Sequence, residues 1–208
     1  MIKQAMATAL VIGSTLSGTA VAQADAAKIP KGFLLTERAA KGPVMEDEEW
    51  WEISNSLSRP LELNPCGRKG KPRDGRVAMR TIGYSTSAPS GRAEQLVLYR
   101  NASSARAAFR KLRADLARCR ERITAKRKHG YTAKPLRAGD EGLFATGVYY
   151  TKGKRPTESD VLGVAARRGA ALFFYTDIGW PYPSTRKKIV RQAQKMAKKV
   201  CDLPGVCR

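Results

Sequence analysis

Apolar residues recur at helical spacing in three parts of the chain. The clearest pattern covers residues 103–123, and a similar one covers residues 183–201. Spacings of three and four place apolar side chains on one face of a helix, so both segments are predicted to be helical. The predicted buried faces are Phe109, Leu112, Leu116, Cys119 and Ile123 in the first helix, and Ile189, Ala193, Met196 and Val200 in the second.

The third pattern lies in residues 45–58, where Met45, Trp50, Ile53 and Leu57 are close to helical spacing. An acidic run directly precedes the two tryptophans, and acidic side chains in a first turn are favoured by the helix dipole. The segment therefore predicts a helix with Trp50 in the core. Trp51 would lie about 100° further round the helix, at a surface or cleft position.

Short strand patterns fill the space between the predicted helices. They are rich in β-branched or aromatic residues and are bounded by Gly, Pro or Ser. Arg168 and Gly169 separate the last two and indicate a tight hairpin. The five predicted strands are RVAMRTIGYS (76–85), EQLVLYR (94–100), GLFATGVYY (142–150), DVLGVAAR (160–167) and AALFFYTDI (170–178). Together these elements predict a single α+β domain: a twisted, mostly antiparallel sheet with the helices packed on one face.

The N-terminus has the layout of a secretory signal peptide. Lys3 precedes an apolar centre, and small residues around positions 20–24 resemble a cleavage site. We expect residues 1–24 to be the signal, 25–32 a short linker and 33–208 the folded domain. No other segment is apolar enough to span a membrane, so the mature chain is expected to be secreted or to remain in the cell envelope.

Cysteine usage agrees with export. The four cysteines allow three pairings, and the sequence alone does not choose strictly among them. Pro204 and Gly205 are a turn signal between Cys201 and Cys207 that favours a small closed ring, which would leave Cys66 with Cys119. Zinc would need CxxC-like pairs or nearby histidines, and the chain has one histidine, His129.

Several short motifs make the chain resemble the PknH-like extracellular sensor domain family, from residue 33 to about residue 200. These are FLLT (33–36), RPLELNPC (59–66), LARC (116–119), GDEG (139–142) and VAARRGAALFF (164–174). The family occurs as the outer part of membrane-bound Ser/Thr kinases and as free secreted or lipid-anchored proteins. The resemblance implies a twisted antiparallel sheet with helices, a cleft and two disulfides, one of them Cys66–Cys119. The close Cys201 and Cys207 pair departs from the kinase-attached members.

Catalytic motifs are weak in this sequence. With both bridges formed no thiol is free, no serine lies in a GxSxG motif, and His129 lies in a basic polar stretch, 125–134, that reads as a loop. Asp140 and Glu141 are adjacent, so in a strand they would face opposite sides of the sheet. We therefore expect a non-enzymatic protein without catalytic residues, cofactor or metal. The alternative is a secreted hydrolase that uses acidic residues.

Positive charge is the strongest functional feature: 39 Lys and Arg against 18 Asp and Glu give a net charge of +21. An exported protein with this charge would attract anionic envelope polymers or anionic small molecules. Aromatic residues are not interleaved with the basic ones, and no nucleic-acid-reading motif is present, so sequence-specific nucleic-acid binding is not expected. The candidate polyanion-binding residues are Arg106, Arg110, Arg113, Lys187, Arg191, Lys195 and Lys198.

An aromatic cluster supplies the candidate ligand site. Most of these residues fall near the ends of the later predicted strands, and two lie in the proline-rich corner IGWPYP. The candidates are Trp51, Tyr149, Tyr175, Trp180 and Tyr182. The sequence thus predicts a monomeric sensor-type domain that binds an anionic or wall-derived ligand in a cleft. A nonspecific polyanion binder without a cleft function, or a merely solvated basic surface, is the further alternative.

Overall fold

One eight-stranded antiparallel sheet organises the chain. The computed structural model describes residues 28–41, 49–67, 74–87, 90–123, 128–150, 161–179 and 185–207. Within these, the strands are Glu49–Ser54 (β1), Arg76–Thr86 (β2), Gly91–Tyr99 (β3), Glu121–Ile123 (β4), Lys128–Pro135 (β5), Glu141–Tyr150 (β6), Val161–Arg168 (β7) and Ala171–Ile178 (β8). Their order in the sheet is β1-β2-β3-β8-β7-β6-β5-β4, and every neighbouring pair is antiparallel.

Two helices complete the α+β domain, which confirms the predicted class. They are Ala102–Arg118 (α1) and Arg186–Lys199 (α2), and α2 continues into a 3-10 turn at Val200–Asp202. The Asn101 side chain caps α1 by accepting the Ser104 amide, and the Thr185 side chain caps α2 by accepting the Lys188 amide. Polar side chains at these positions satisfy amide groups that have no partner within the helix.

The helices lie on opposite faces of the sheet, so the prediction that both pack on one face is wrong. Successive strand residues point to opposite faces. In β3, Leu96 and Leu98 join the core under α2, whereas Val97 and Tyr99 join the core under α1. Both faces of the central strands are apolar, and each face needs its own cover.

Irregular segments extend the cover on each face. Residues 28–41 lie on the α2 side, where Leu34 belongs to the core. Residues 55–67 lie on the α1 side, where Leu63 is buried against Gly163 of β7. The Gln95 side chain holds this second segment by donating to the Pro60 carbonyl and accepting the Glu62 amide, both at 3.1 Å.

The segment predicted as a helix at 45–58 contains strand β1 instead. Trp51 pairs with Tyr84 and Ile53 with Ile82 across the β1–β2 ladder. Trp50 is 51% exposed, so its predicted core position is wrong, while Trp51 is half-buried against the α2-side core. Pairing with β2 satisfies the backbone, and aromatic residues suit a half-buried strand. Met45 lies outside the described residues.

Two other boundaries differ from the sequence pattern. Helix α1 ends at Arg118, so Ile123 lies in β4 rather than on the helix. The stretch read as a basic loop contributes β5, which pairs with β6 along its whole length. All five predicted strands are confirmed within a few residues, as β2, β3, β6, β7 and β8.

Both predicted disulfides are present. Cys66–Cys119 spans 53 positions and ties the 55–67 segment to the C-terminal end of α1. Cys201–Cys207 closes the small terminal ring. The ring packs on the β7–β8 hairpin, where the Ala170 amide donates to the Val206 carbonyl at 2.8 Å. Gly169 has a φ of +53°, and a Cβ there would lie 1.8 Å from the Val206 oxygen, so this turn requires glycine.

A buried ion pair fastens the 28–41 segment to the sheet. The Arg80 guanidinium donates to both carboxylate oxygens of Glu37, whose side chain is fully buried. Burial raises the pKa of Glu37, but hydrogen bonds from Arg80 and from backbone amides, with the Arg80 charge, outweigh it. The pKa of Glu37 therefore lies below its ordinary value of 4.5.

Replacing Arg80 with Met should lower the free energy of unfolding by about 3–5 kcal/mol, because it leaves the Glu37 carboxylate buried without a cation. Urea unfolding at neutral pH measures this loss. The matched control is Glu52→Gln, which breaks the more exposed Arg59–Glu52 pair and should cost about 1 kcal/mol or less. Equal losses in the two variants would contradict the role given to Arg80.

The same pair should make stability depend on acidity. Because the pKa of Glu37 is lower in the folded state, its contribution is complete above the unfolded pKa and is lost as pH falls through the folded pKa. Unfolding free energies measured across this range should fall more steeply for the parent than for a Glu37→Gln, Arg80→Met double variant. Parallel profiles would show that Glu37 is not linked to folding.

Removing the bridges should cost unequal amounts. On the chain-entropy model, replacing Cys66 and Cys119 with Ala should cost about 4 kcal/mol, because the closed loop is long. Replacing Cys201 and Cys207 should cost about 2 kcal/mol. Calorimetric unfolding of the two double variants would test this order, and a larger loss for the tail pair would reverse it.

Candidate functional site

A cleft of about 610 Å³ lies on the α1 side of the sheet, between the second half of α1 and strands β5 and β6. The space exists because the facing strand positions carry small side chains. Ala133 of β5 lines the cleft and pairs with Ala145 of β6, so both side chains at this pair are small. Helix α1 packs over the central strands, and these small residues do not fill the gap beneath its far flank.

The floor of the cleft is apolar. Phe109 and Leu116 from α1 and Leu143 from β6 are buried in the α1-side core and also border the cleft. The outer wall is formed by Tyr131, Ala133 and Pro135, which alternate along β5. An apolar ligand group could therefore exchange water for contact along both the helix and the strand.

Two arginines line the cleft on its α1 side. Arg113 and Arg120 both line it, and both are exposed. Neither side chain forms an ion pair with another described residue. Lys134 also borders the cleft, but it pairs with Phe144, whose side chain belongs to the α2-side core. Strand alternation therefore directs the Lys134 side chain to the other face.

The carboxylate in the cleft lining is already engaged. Glu141 accepts a 2.7 Å hydrogen bond from Arg167 Nε, and the Arg167 side chain is almost fully buried. Arg167 Nη1 also lies 3.0 Å from Asp140, and Arg168 donates to the same Asp140. Burial raises the pKa of Asp140, but the Gly169 amide and these two arginines outweigh it and lower the pKa below its ordinary value. The GDEG segment, residues 139–142, is thus held by ion pairs where it leads into β6.

The position of Arg120 is fixed from two sides. Its neighbour Cys119 is bonded to Cys66, and the Arg120 carbonyl accepts the Tyr131 amide at 2.7 Å. These two contacts hold Arg120 at the end of the cleft, where the chain passes from α1 to β4. Gly142, at the other end, approaches Leu136 so closely that a Cβ would lie 2.6 Å from its carbonyl oxygen.

A second, much smaller cavity of about 20 Å³ lies on the α2 side, bordered by Trp51, Arg92, Glu94 and Tyr175. That volume holds about one water molecule. The Glu94 carboxylate there accepts the Leu35 and Thr36 amides, the Thr36 hydroxyl and the Tyr175 hydroxyl. This network holds the 28–41 segment against β3 and has no room for a larger ligand.

The aromatic candidates do not come together in one described site. Tyr175 is 2% exposed and donates its hydroxyl to Glu94 at 2.6 Å, and burial with that carboxylate raises the pKa of Tyr175 well above its ordinary value. Trp51 packs on Tyr84 with ring centroids 4.7 Å apart, and Arg92 lies over both rings. The side chain of Tyr149 and all of Trp180 and Tyr182 lie outside what the structure describes.

The basic candidates form two exposed rows on opposite faces of the molecule. Arg106, Arg110 and Arg113 lie along α1, and Arg113 reaches the cleft. The α2 row is directed away from the sheet, opposite the buried face of its helix, and consists of Lys187, Arg191, Lys195 and Lys198. The two rows therefore cannot form one surface, and polyanion binding by the α2 row stays a prediction.

Sequence reasoning missed Arg120, Tyr131 and Ala133 as cleft residues. The signal for the last two is the alternation of Tyr131, Ala133 and Pro135 in a stretch that reads as a polar loop. Arg120 is seven positions after Arg113, two helical turns on, but it lies just beyond the end of α1. Only the arrangement of α1 over β5 and β6 shows that these residues share a cavity.

No helix among the described residues is both long and apolar enough to cross a membrane. The described residues also contain no cluster of three or more His, Cys, Asp or Glu side chains suited to a metal ion.

Comparison with known proteins shows a likeness of fold. No protein-family model and no curated protein matches the chain. Among solved structures, the fold is similar to the extracellular domain of PknH from Mycobacterium tuberculosis, with a TM-score of 0.55 and 10% sequence identity. The similarity covers 84% of this chain and 100% of that domain. At this identity the similarity shows a shared fold.

Proposed function

We propose that this chain is an exported, non-enzymatic binding domain of the sensor type, whose cleft takes an anionic amphiphile from the cell envelope. The observation that carries the proposal is the cleft of about 610 Å³ with an apolar floor and two arginines on its wall. Its volume lies in the range of small-molecule sites. Apolar contact would supply affinity, and the arginines would select an acidic headgroup.

The chemistry of the lining favours binding over hydrolysis. A hydrolase that uses acidic residues needs two carboxylates about the scissile bond. Among the described residues, the cleft lining offers Glu141, and Arg167 engages it. Guanidinium groups form bidentate hydrogen bonds with phosphate and carboxylate, which suits a ligand that is held rather than cleaved.

The likeness to the extracellular domain of PknH supports a role outside the cell, and the signal-like N-terminus supports export. The net charge of +21 would concentrate anionic ligands near the protein before they reach the cleft. A domain of this kind would report the presence of its ligand to a partner, or carry the ligand, without changing it.

Decyl phosphate is the probe that tests the proposal, because it has one acidic headgroup and one apolar chain. Replacing Arg113 and Arg120 with Gln should weaken its binding about tenfold, because each exposed charge contributes about threefold to affinity. Ala133→Trp should abolish binding by filling the cleft, and an aromatic residue suits a strand. Isothermal calorimetry below the micelle concentration measures both effects.

Two controls make this test specific. Lys187→Gln with Arg191→Gln removes the same charge from the other face of the sheet and should leave binding unchanged. Inorganic phosphate and decanol each lack one half of the probe and should bind weakly. If Ala133→Trp bound decyl phosphate like the parent, the cleft would not be the site. If both charge variants lost affinity equally, the protein would be a nonspecific polyanion binder.

A further inference from the structure

We infer that the cleft is one end of a longer site, and that its natural ligand is a linear chain of phosphodiesters with an apolar terminal group. The apolar group would occupy the cleft, and the phosphates would follow an arginine stripe along α1. This inference rests on the proposed function for the cleft itself. The inference adds the chemical class of the ligand and the direction in which the bound ligand extends along α1.

The arginine stripe consists of Arg106, Arg110, Arg113 and Arg120, with Ala117 between the last two. Steps of four, three and four residues keep Arg106, Arg110, Arg113 and Ala117 on one flank of α1, and Arg120 follows two residues beyond its end. The last three of the five positions line the cleft, and the first two continue the same line toward the N-terminus of α1. From Arg106 to Ala117 the stripe runs about 16 Å.

The stripe carries no compensating acid on its own helix. The acidic residue of α1 is Asp115, which lies on the opposite flank and pairs with Lys111 at 2.8 Å and with Arg118 at 2.5 Å. Those two cations are therefore balanced within the protein. Arg106, Arg110 and Arg113 are exposed and form no ion pair with another described residue. The cations on one flank of α1 are therefore paired with an acid. The arginines on the flank that leads to the cleft have no ion-pair partner among the described residues.

The spacing of the stripe suits a chain of phosphates rather than one headgroup. Arg106, Arg110 and Arg113 are offset along the helix axis by about 6 Å and then by about 4.5 Å. A single anion in the cleft can meet Arg113 and Arg120, but Arg106 lies about two turns from Arg113 on the cleft wall. A linear phosphodiester chain presents anions repeatedly along one direction, and guanidinium groups bind phosphate oxygens through paired hydrogen bonds.

A defined series of probes can test this ligand class. Propanediol phosphodiester oligomers with a decyl cap can be made with one, two, four and six phosphates. Affinity for the parent should rise with the number of phosphates up to about four and then level off, because the stripe offers four arginines. Fluorescence anisotropy with labelled oligomers gives the dissociation constants, and a salt series gives the number of phosphates contacted.

Replacing Arg106 and Arg110 with Gln measures the contribution of the stripe to binding separately from that of the cleft. The one-phosphate probe should bind this variant like the parent. The four-phosphate probe should lose about tenfold in affinity, because each of the two exposed charges contributes about threefold. Its salt slope should fall by about 1.4, because each lost phosphate contact on a single strand contributes about 0.7. Both arginines are exposed, so the variant should fold normally.

The matched control is Lys187→Gln with Arg191→Gln, which removes two charges from α2 on the other face and should keep the full gain with chain length. If the one-phosphate probe binds but longer oligomers bind no better, the inference is overturned and the proposed function stands. If the two double variants lose the gain equally, general charge explains it and the stripe is not a site. If the one-phosphate probe does not bind the parent, the proposed function and this inference fail together.

Discussion

The structure depends on one constraint: the central strands are apolar on both faces. Leu96 and Leu98 of β3 face one side, and Val97 and Tyr99 face the other, so neither side of the sheet can be left to water. A single layer of helices would cover half of this surface. The chain instead places α1 on one face and α2 on the other, and adds an irregular segment to each. The separation of the two basic rows follows directly from this arrangement.

The same constraint produces the cleft. Helix α1 must lie over the central strands, where Phe109 and Leu112 meet the core, and so it leaves the outer strands β5 and β6 partly uncovered. Ala133 of β5, which lines the gap, is too small to close it. The Cys66–Cys119 bridge then fixes the end of α1 where the chain passes to Arg120. The site is thus the part of the sheet that the helix does not reach.

Charged residues are also divided between the interior and the surface. The buried acids are occupied with holding the fold, as Glu37 is by Arg80 and Glu94 is by backbone amides and Tyr175. Asp140 and Glu141 are held by Arg167 at the hairpin. Most of the remaining cations are on the surface. These acids are therefore engaged in holding the fold and do not balance the two exposed basic rows.

The sequence by itself determined the α+β class, five of the strands and both helices, because these depend on local periodicity and on capping residues such as Asn101. The turn between Cys201 and Cys207 favoured the pairing that the structure shows, without choosing it strictly. The sequence misread β1, since Trp50 and Trp51 fit a helix and a strand equally well until β2 supplies a partner for the backbone. It also could not show that α1 and α2 lie on opposite faces, because each helix has one apolar stripe whichever face it covers. The cleft was beyond its reach for the same reason: Arg113, Arg120, Tyr131 and Ala133 are brought together only when α1 packs across the sheet, and contacts between distant segments leave no periodic signal in the chain.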